Sequence, residues 1–299
     1  MSGGAAVLLP RLRELVLSRS VIQEGELERV VAGNPRLRTV VLVMNCGVPE
    51  RVRLRSGSLW CVVFWQSVVE ELAVVSAPLL ERIILQTSAL PCGIGREGSR
   101  MRIKITAASA LRALGYLNPN HHQLQIGDTV IKVGKQVVPD AVVPSVKVLA
   151  LSVQFGVRSE ASRAVFRFLE CFPNIETLHV LVVEWRCTYN GGNTDTIGTL
   201  DVECVKESIT KVVIHGFRWE NCEIEFLKAI LEGGKVLQKI YIIQAKNISV
   251  SEGDINGSMS LLASQSKGVA LMILAGQNGI WTYEMASDLS RNDPFDFLG

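Results

Sequence analysis

The sequence predicts an α/β chain: an irregular, horseshoe-like solenoid of strand-bearing repeats, with a C-terminal region that caps it. Three observations predict it. One apolar string recurs ten times down the chain. Several segments between copies place apolar residues at helical spacing. Apolar residues make up 48% of the 299 residues, enough to offset chain entropy on folding, so disorder is excluded.

The string is apolar, two variable, apolar, one variable, apolar. Leu12-Arg-Glu-Leu15-Val-Leu17 is the first copy, and Leu37-Arg-Thr-Val40-Val-Leu42 follows 25 residues on. Leu59-Trp-Cys-Val62-Val-Phe64 comes after 22 and Leu80-Glu-Arg-Ile83-Ile-Leu85 after 21. Val69-Glu-Glu-Leu72-Ala-Val74 lies between these two and breaks the period. Later copies begin at Leu111, Val146, Ile175, Ile209 and Leu237, spaced 28 to 35 apart. Periods of 20–29 with this string are the leucine-rich-repeat signature. Each copy is one short strand whose alternate side chains face the core, and one copy cannot bury that face without neighbours.

The connections fill in the rest. Residues 24–33 (EGELERVVAG) carry Leu27, Val30 and Val31 on one helical face. Residues 159–172 do the same with Ala164, Val165, Phe168, Leu169 and Phe172, and Pro173 closes the turn. Residues 221–234 place Ile224, Leu227, Ile230 and Leu231 inward, with Asn221 as N-cap and Gly233 as the stop. Strands on one side and mixed helix or coil on the other are therefore expected. Residues 188–200 are polar and Gly/Asn/Thr-rich and read as a linker or loop between a repeat region (1–187) and a C-terminal region (201–299). The tail 244–299 is less periodic, with one further apolar strand, Val269–Leu274.

Charge and targeting exclude several classes. Lys+Arg is 31 and Asp+Glu 29, and a net charge of +2 is no nucleic-acid footprint. The apolar start ends at Pro10 with no basic residue before it, so it does not read as a signal peptide. No apolar run approaches the ~18 residues of a membrane span. The seven cysteines are odd in number, contain no C-x-x-C and lie at least 15 residues apart. That spacing excludes a zinc knuckle and argues against a disulfide framework. A cytoplasmic or nuclear location follows as an expectation.

Catalytic constellations are not found. Gly93-x-Gly95-x-x-Gly98 matches the letters of the dinucleotide fingerprint, but a strand-like segment, Met101–Ile105, follows where a helix should open. Adjacent His121 and His122 follow a turn signal and read as a solvated turn. His179 and His215 read as equivalent outward positions of successive strands. Neither has a neighbouring carboxylate or thiol to complete a catalytic set. Asp254 lacks the EF-hand spacing, and Asp293 and Asp296 read as solvated end residues. No catalytic residue, cofactor or metal is assigned.

The strand faces carry the remaining signal. Within each copy the two inner apolar positions point inward, and the residues between point out. The outward residues include Val16, Val41, Val63, Trp65, Arg82, Ile84, His179, His215 and Tyr241. The middle outward position is apolar in most copies, where a solvated face would carry polar residues. One reading is a hydrophobic partner-binding strip, with Trp65 and Tyr241 as anchors. A second is a face covered by the chain's own insertions or tail. A third is β-prone residues on a tight inner curve.

Several segments together resemble a known family. They are 143–156 (VPSVKVLALSVQFG), 168–180 (FLECFPNIETLHV), 207–243 (ESITKVVIHGFRWENCEIEFLKAILEGGKVLQKIYII) and 281–295 (WTYEMASDLSRNDPF). Residues 9–28 and 68–85 add to the likeness. The chain resembles the plant, grass-type F-box / leucine-rich-repeat / FBD family over nearly its whole length, lacking the N-terminal F-box. The FBD-like region is 201–299, continuing the solenoid. The resemblance implies a non-catalytic scaffold, the substrate-recognition part of a ubiquitin-ligase adaptor. In that family the F-box docks on a Skp-type adaptor and cullin, so those partners are expected only if an F-box lies upstream. The alternative is a stand-alone leucine-rich-repeat binding protein, or a truncated product, without ligase coupling. Either way the expected partner is a protein, with no nucleic acid and no membrane.

Overall fold

Two physical devices build each repeat. A turn closed by a backbone N–H delivers the chain to a strand, and the strand pairs in register with the one before it. Asn34-Pro35-Arg-Leu37, Ala77-Pro78-Leu-Leu80 and Val143-Pro144-Ser-Val146 each place proline at the second turn position, where its fixed φ fits. In each, the N–H of the fourth residue donates to the carbonyl of the first, at 3.0, 3.1 and 3.4 Å. The computed structural model describes residues 8–45, 49–67, 69–86, 101–119, 121–131, 142–155, 160–183, 202–246, 248, 250–266, 268–276 and 281–296, with backbone alone at 160–164. The chain forms two compact units: Met1–Tyr116 with His121–Lys132 and Trp281–Gly299, and Leu117–Asn120 with Val133–Ile280.

The first unit contains β1 (Glu14–Ser18), α1 (Glu26–Gly33), β2 (Thr39–Val43), β3 (Arg51–Arg55), β4 (Cys61–Trp65), β5 (Glu71–Ser76), β6 (Arg82–Gln86), β7 (Met101–Ile105), β8 (Ala113–Leu117), β9 (His122–Ile126) and β10 (Thr129–Ile131). Strands β1-β2-β4-β6-β8 form one parallel sheet. Strands β3-β5-β7-β9 form a second, closed by β10 antiparallel to β9. From β2 onward the chain therefore alternates between two sheets. The apolar strings point between them: Val40, Val62, Ile83 and Leu114 from the first sheet, and Val52, Leu72, Ile103 and Leu124 from the second, are all 0% exposed. The expectation of helix or coil opposite the strands is corrected here. Apart from α1, the opposite side is a second sheet, and the string at Val69–Val74 supplies its β5 rather than interrupting a period.

The ends of the first-sheet strands repeat as well. Arg19, Met44 and Gln66, each one residue beyond its strand, have φ of 48°, 53° and 48°. At Met44 and Gln66 this left-handed residue is followed by a polar side chain that bridges back to the preceding repeat. Asn45 accepts from the Ser20 N–H (2.6 Å) and donates to the Leu17 carbonyl (2.7 Å). Ser67 accepts from the Asn45 N–H and donates to the Leu42 carbonyl, both at 3.0 Å. Buried polar groups are thus satisfied by a ladder that advances with the repeat.

The second unit contains β11 (Val148–Val153), α2 (Glu160–Glu170), β12 (Thr177–Val182), α3 (Glu203–Glu207), β13 (Lys211–Phe217), α4 (Asn221–Gly233), β14 (Lys239–Gln244), α5 (Glu252–Gln265) and β15 (Ala270–Leu274). Its five strands pair in parallel in chain order. Here a helix follows each of the first four strands, as the spacing of 28 to 35 allows. Val165, Phe168, Leu169 and Phe172 face inward as expected, as do Ile224, Leu227, Ile230 and Leu231. Phe226 adds a ring contact to Phe155 at 5.2 Å and to Phe166 at 5.8 Å. The N-cap of α4 is Glu220 rather than Asn221, through a reciprocal capping box with Glu223. A bulge at Gly216 (φ 74°) breaks the β13 register, and an added Cβ there would lie 3.0 Å from the Val182 carbonyl. The α5 helix was not legible in the Gly/Asn-rich run 252–265, and Asp254 lies in its first turn. No helix among the described residues is long and apolar enough to cross a membrane. The linker 188–200 and the Gly93–Gly98 string lie outside the described residues.

Two outcomes follow from this packing. Phe64 is 0% exposed between the first unit's sheets, so Phe64→Ala leaves a cavity and lowers unfolding free energy by about 3–5 kcal/mol in urea titrations. Burial raises the Glu223 carboxyl from 4.5 to about 7 against the backbone N–H groups of Arg218 and Glu220, which favour its charge. The folded state therefore holds a proton that the unfolded state has lost between pH 4.5 and 7. Its contribution to stability falls as pH rises through that window. Glu223→Gln keeps an acceptor for the cap and removes the buried charge. Relative to the parent, the variant gains up to roughly 3 kcal/mol between pH 4.5 and 8.

Candidate functional site

In the first unit the outward residues of the first sheet align into rows, because the parallel pairing keeps strict register. Glu14, Thr39, Cys61, Arg82 and Ala113 form one row. Val16, Val41, Val63, Ile84 and Gly115 form the next, followed by Ser18, Val43, Trp65 and Gln86. The aligned rows make a strip with an apolar centre. Val16, on edge strand β1, is 42% exposed, but Val41, Val63 and Ile84 are 0% exposed.

What covers the strip is the chain's own C-terminal segment, 281–296, which carries α6 (Tyr283–Ser287). Helix α6 packs on β2 and β4. Trp281 meets Trp65 with ring centroids 4.8 Å apart and Tyr116 at 5.5 Å. Tyr283 lies edge-on to Trp65 at 6.4 Å. Phe295, 0% exposed, packs against Tyr116 at 5.2 Å and Trp281 at 5.9 Å. The Trp281 indole N–H donates to the Pro294 carbonyl at 2.9 Å, which folds the segment back on itself.

Arg82 is the polar centre of this contact. It is 5% exposed. Its Nη1 donates to the carbonyls of Ala286 (3.4 Å) and Asp288 (2.7 Å), and its Nη2 donates to the carbonyl of Arg291. Burial pulls the guanidinium pKa down, while Cys61, Glu81, Asp288 and Asp293 hold it up. A guanidinium stays protonated in proteins, so a buried cation faces a nest of peptide carbonyls. Beside it, burial pushes the Cys61 thiol up to about 12, so the sulfur is a neutral packing atom.

The second unit places the other predicted residues on its own sheet. Val148, Thr177, Lys211, Lys239 and Ala270 form one outward row, and Ala150, His179, Val213, Tyr241 and Met272 the next. His215 belongs to the following row, opposite Leu181. The two histidines are therefore offset by two residues, which corrects the expectation of equivalent positions. Their rings still stack across the diagonal, 5.7 Å apart and 9° from parallel, with His179 Nδ1 3.4 Å from His215 Nε2. Both are buried, at 0% and 5%. Tyr241 is half-buried beneath the Lys211 ammonium, 5.5 Å from the ring centroid.

Two further expectations are corrected. His122 is buried at the start of β9, and burial pushes its pKa down to about 4. Only its neighbour His121 sits in an exposed turn. Asp293 is not an idle end residue, since its carboxylate accepts the Phe295 N–H at 3.0 Å. Among the described residues, no group of three or more His, Cys, Asp or Glu side chains is placed to hold a metal ion. Sequence reasoning missed Trp281, Tyr283 and Phe295 as strip contacts, although three aromatics in a 16-residue polar tail were the available signal.

Comparison with known families matches the chain to two models. The model of "FBD-associated F-box protein At5g56370, LRR repeats" matches residues 2–180. The FBD model matches residues 200–242, which span α3, β13, α4 and most of β14. No curated protein and no solved structure matches the chain.

The Arg82 contact yields a direct test. Arg82→Leu removes three bonds from a charged donor, to the carbonyls of Ala286, Asp288 and Arg291, each worth about 1.5–3 kcal/mol, while the Asp288 carbonyl keeps the Arg291 N–H at 3.2 Å. The open population of the segment then rises at least about tenfold. Limited trypsin digestion reads this as faster cleavage after Arg291, with a red shift of the tryptophan emission. Equal cleavage rates in parent and variant would remove Arg82 from this role.

Proposed function

The chain belongs to the leucine-rich-repeat family of FBD-associated F-box proteins, and from that premise we propose that it is a non-catalytic protein-interaction scaffold. Its repeats continue as an irregular solenoid, and its docking face is the strip of Val16, Val41, Val63, Trp65, Arg82 and Ile84. A partner segment takes the place that residues 281–296 hold in the closed chain. One observation carries this reading: the strip already holds a peptide through contacts that a foreign peptide can reproduce. Arg82 grips main-chain carbonyls, which every peptide offers. Trp65 and Tyr116 take aromatic rings. Such aromatic and arginine anchors dominate the energetics of protein interfaces. The segment itself buries few side chains fully, Ala286 and Phe295 among them, so competition is feasible.

In the family's terms this is the target-holding half of a ubiquitin-ligase adaptor, working in the cytoplasm or nucleus. The stand-alone alternative differs only in lacking ligase coupling. Affinity purification of the chain from plant cells, followed by mass spectrometry, separates the two. A partner that is enriched by Phe295→Asp, which loosens the segment, and eluted by a synthetic 281–296 peptide supports docking on the strip. Partners indifferent to both would sink it. Co-recovery of a Skp-type adaptor and cullin assigns the scaffold to a ligase, and their consistent absence assigns it to the stand-alone reading.

A further inference from the structure

The second sheet of the first unit carries a charge pattern that the strip does not use. Its outward face is set by parallel pairing that keeps register up to Leu54 and shifts by one residue before Arg55, which pairs with Ser76. Arg51, Glu71, Arg102 and Gln123 form one row, and Arg53, Ala73, Lys104 and Gln125 the next. Arg55 extends the basic side of β3. Small side chains at Ala73 and at Ala32 of α1 leave a groove of about 580 Å³ between the helix and the strands. Its lining holds Arg29, Arg53, Arg55 and Lys104 against Glu28 and Glu71, two more cationic than acidic side chains.

The acids are engaged in part, since the buried Glu28 Oε2 meets no hydrogen-bond partner among the described residues. Glu71 Oε2 lies 3.1 Å from both Arg102 Nη1 and Lys104 Nζ. Glu28 Oε1 accepts the Arg53 N–H at 2.8 Å, and Glu24 Oε1 accepts the Arg51 N–H at 3.0 Å. These two carboxylates occupy the outward N–H groups of edge strand β3, so the edge is blocked to strand addition at both positions. The Arg53 and Arg55 guanidinium groups, by contrast, are exposed and meet no hydrogen-bond or ion-pair partner among the described residues.

We propose that this groove binds an extended acidic peptide of a protein partner, with Arg53, Arg55 and Lys104 as the anion contacts. Two residues apart on a strand, the arginines stand about 6.6 Å apart, the spacing at which an extended peptide presents alternate side chains. Guanidinium groups take carboxylate or phosphate oxygens in pairs. Either an aspartate-rich or a phosphoserine-bearing segment supplies that chemistry. A single-stranded nucleic acid would call for aromatic stacking platforms, and among the described residues no aromatic lines the groove. The proposal does not rest on the strip, which lies on the other sheet.

The test uses the full chain and a fluorescein-labelled Gly-Asp-Gly-Asp-Gly-Asp-Gly peptide, read by anisotropy at 50 and 300 mM salt. Saturable binding is expected, weakened at least tenfold in Arg53→Ala/Arg55→Ala and by the higher salt. It is unchanged in Arg36→Ala, an exposed arginine outside the groove, and absent for the Asn-for-Asp peptide. Circular dichroism and urea midpoints confirm that the variants fold, which the exposure of both arginines favours. A central phosphoserine in place of Asp distinguishes phosphate from carboxylate preference by which peptide binds tighter. No saturable binding of either peptide, or equal binding by the double variant, overturns the proposal. Tighter, variant-sensitive binding of a single-stranded oligothymidylate overturns it in favour of nucleic acid.

Discussion

Parallel, in-register strand pairing is the constraint on which the structure depends. A parallel sheet is stable chiefly when both of its faces are covered, so its strands become apolar on both sides. That is why Val41, Val63 and Ile84 are valine and isoleucine at positions that point away from the core between the sheets. Inward cover comes from the second sheet in the first unit and from helices in the second. Outward cover in the first unit comes from residues 281–296. The apolar strip and the segment upon it are therefore one solution to one requirement.

Arg82 shows how that cover is held. A carboxylate partner would have locked it into one ion pair with defined geometry. Three main-chain carbonyls instead give an attachment that is strong in sum and indifferent to side-chain identity. The aromatic contacts around Trp65 add selectivity on top of that general grip. A face built this way holds its own chain through main-chain and aromatic contacts together.

Much of this was legible from the sequence, and the reasons for the rest are physical. The apolar strings marked the first-sheet strands and their inward residues, since a two-residue alternation and a recurring length need no knowledge of partners. Helices α1, α2 and α4 were legible for the same reason at a 3.6-residue period. The second sheet was not legible as a sheet, although RVRLR at 51–55 alternates as plainly, because the Val69–Val74 copy read as a break in the period and Met101–Ile105 as an isolated strand. The outward strip was read residue by residue, yet which of three explanations applied depended on a contact between positions about 200 residues apart. His122 was misread because a turn signal at Asn118–Asn120 says nothing of how soon the next strand begins. Helix α5 was missed because Gly253, Asn256 and Gly257 lower helix propensity, while the Ser251 cap acts through one hydrogen bond.

The return of residues 281–296 to the first unit makes that unit discontinuous along the chain. During synthesis, residues 1–132 emerge with the strip bare, and about 150 further residues must follow before its cover exists. At ordinary elongation rates of about 5–20 residues per second, the interval is on the order of 10 to 30 s. For that time a row of valines and isoleucines on a parallel sheet faces the surroundings of the ribosome. The half-made protein then carries its apolar strip with no tail over it. The order in which the chain is written thus makes the protection of an early-made apolar face depend on residues that are among the last to be synthesised.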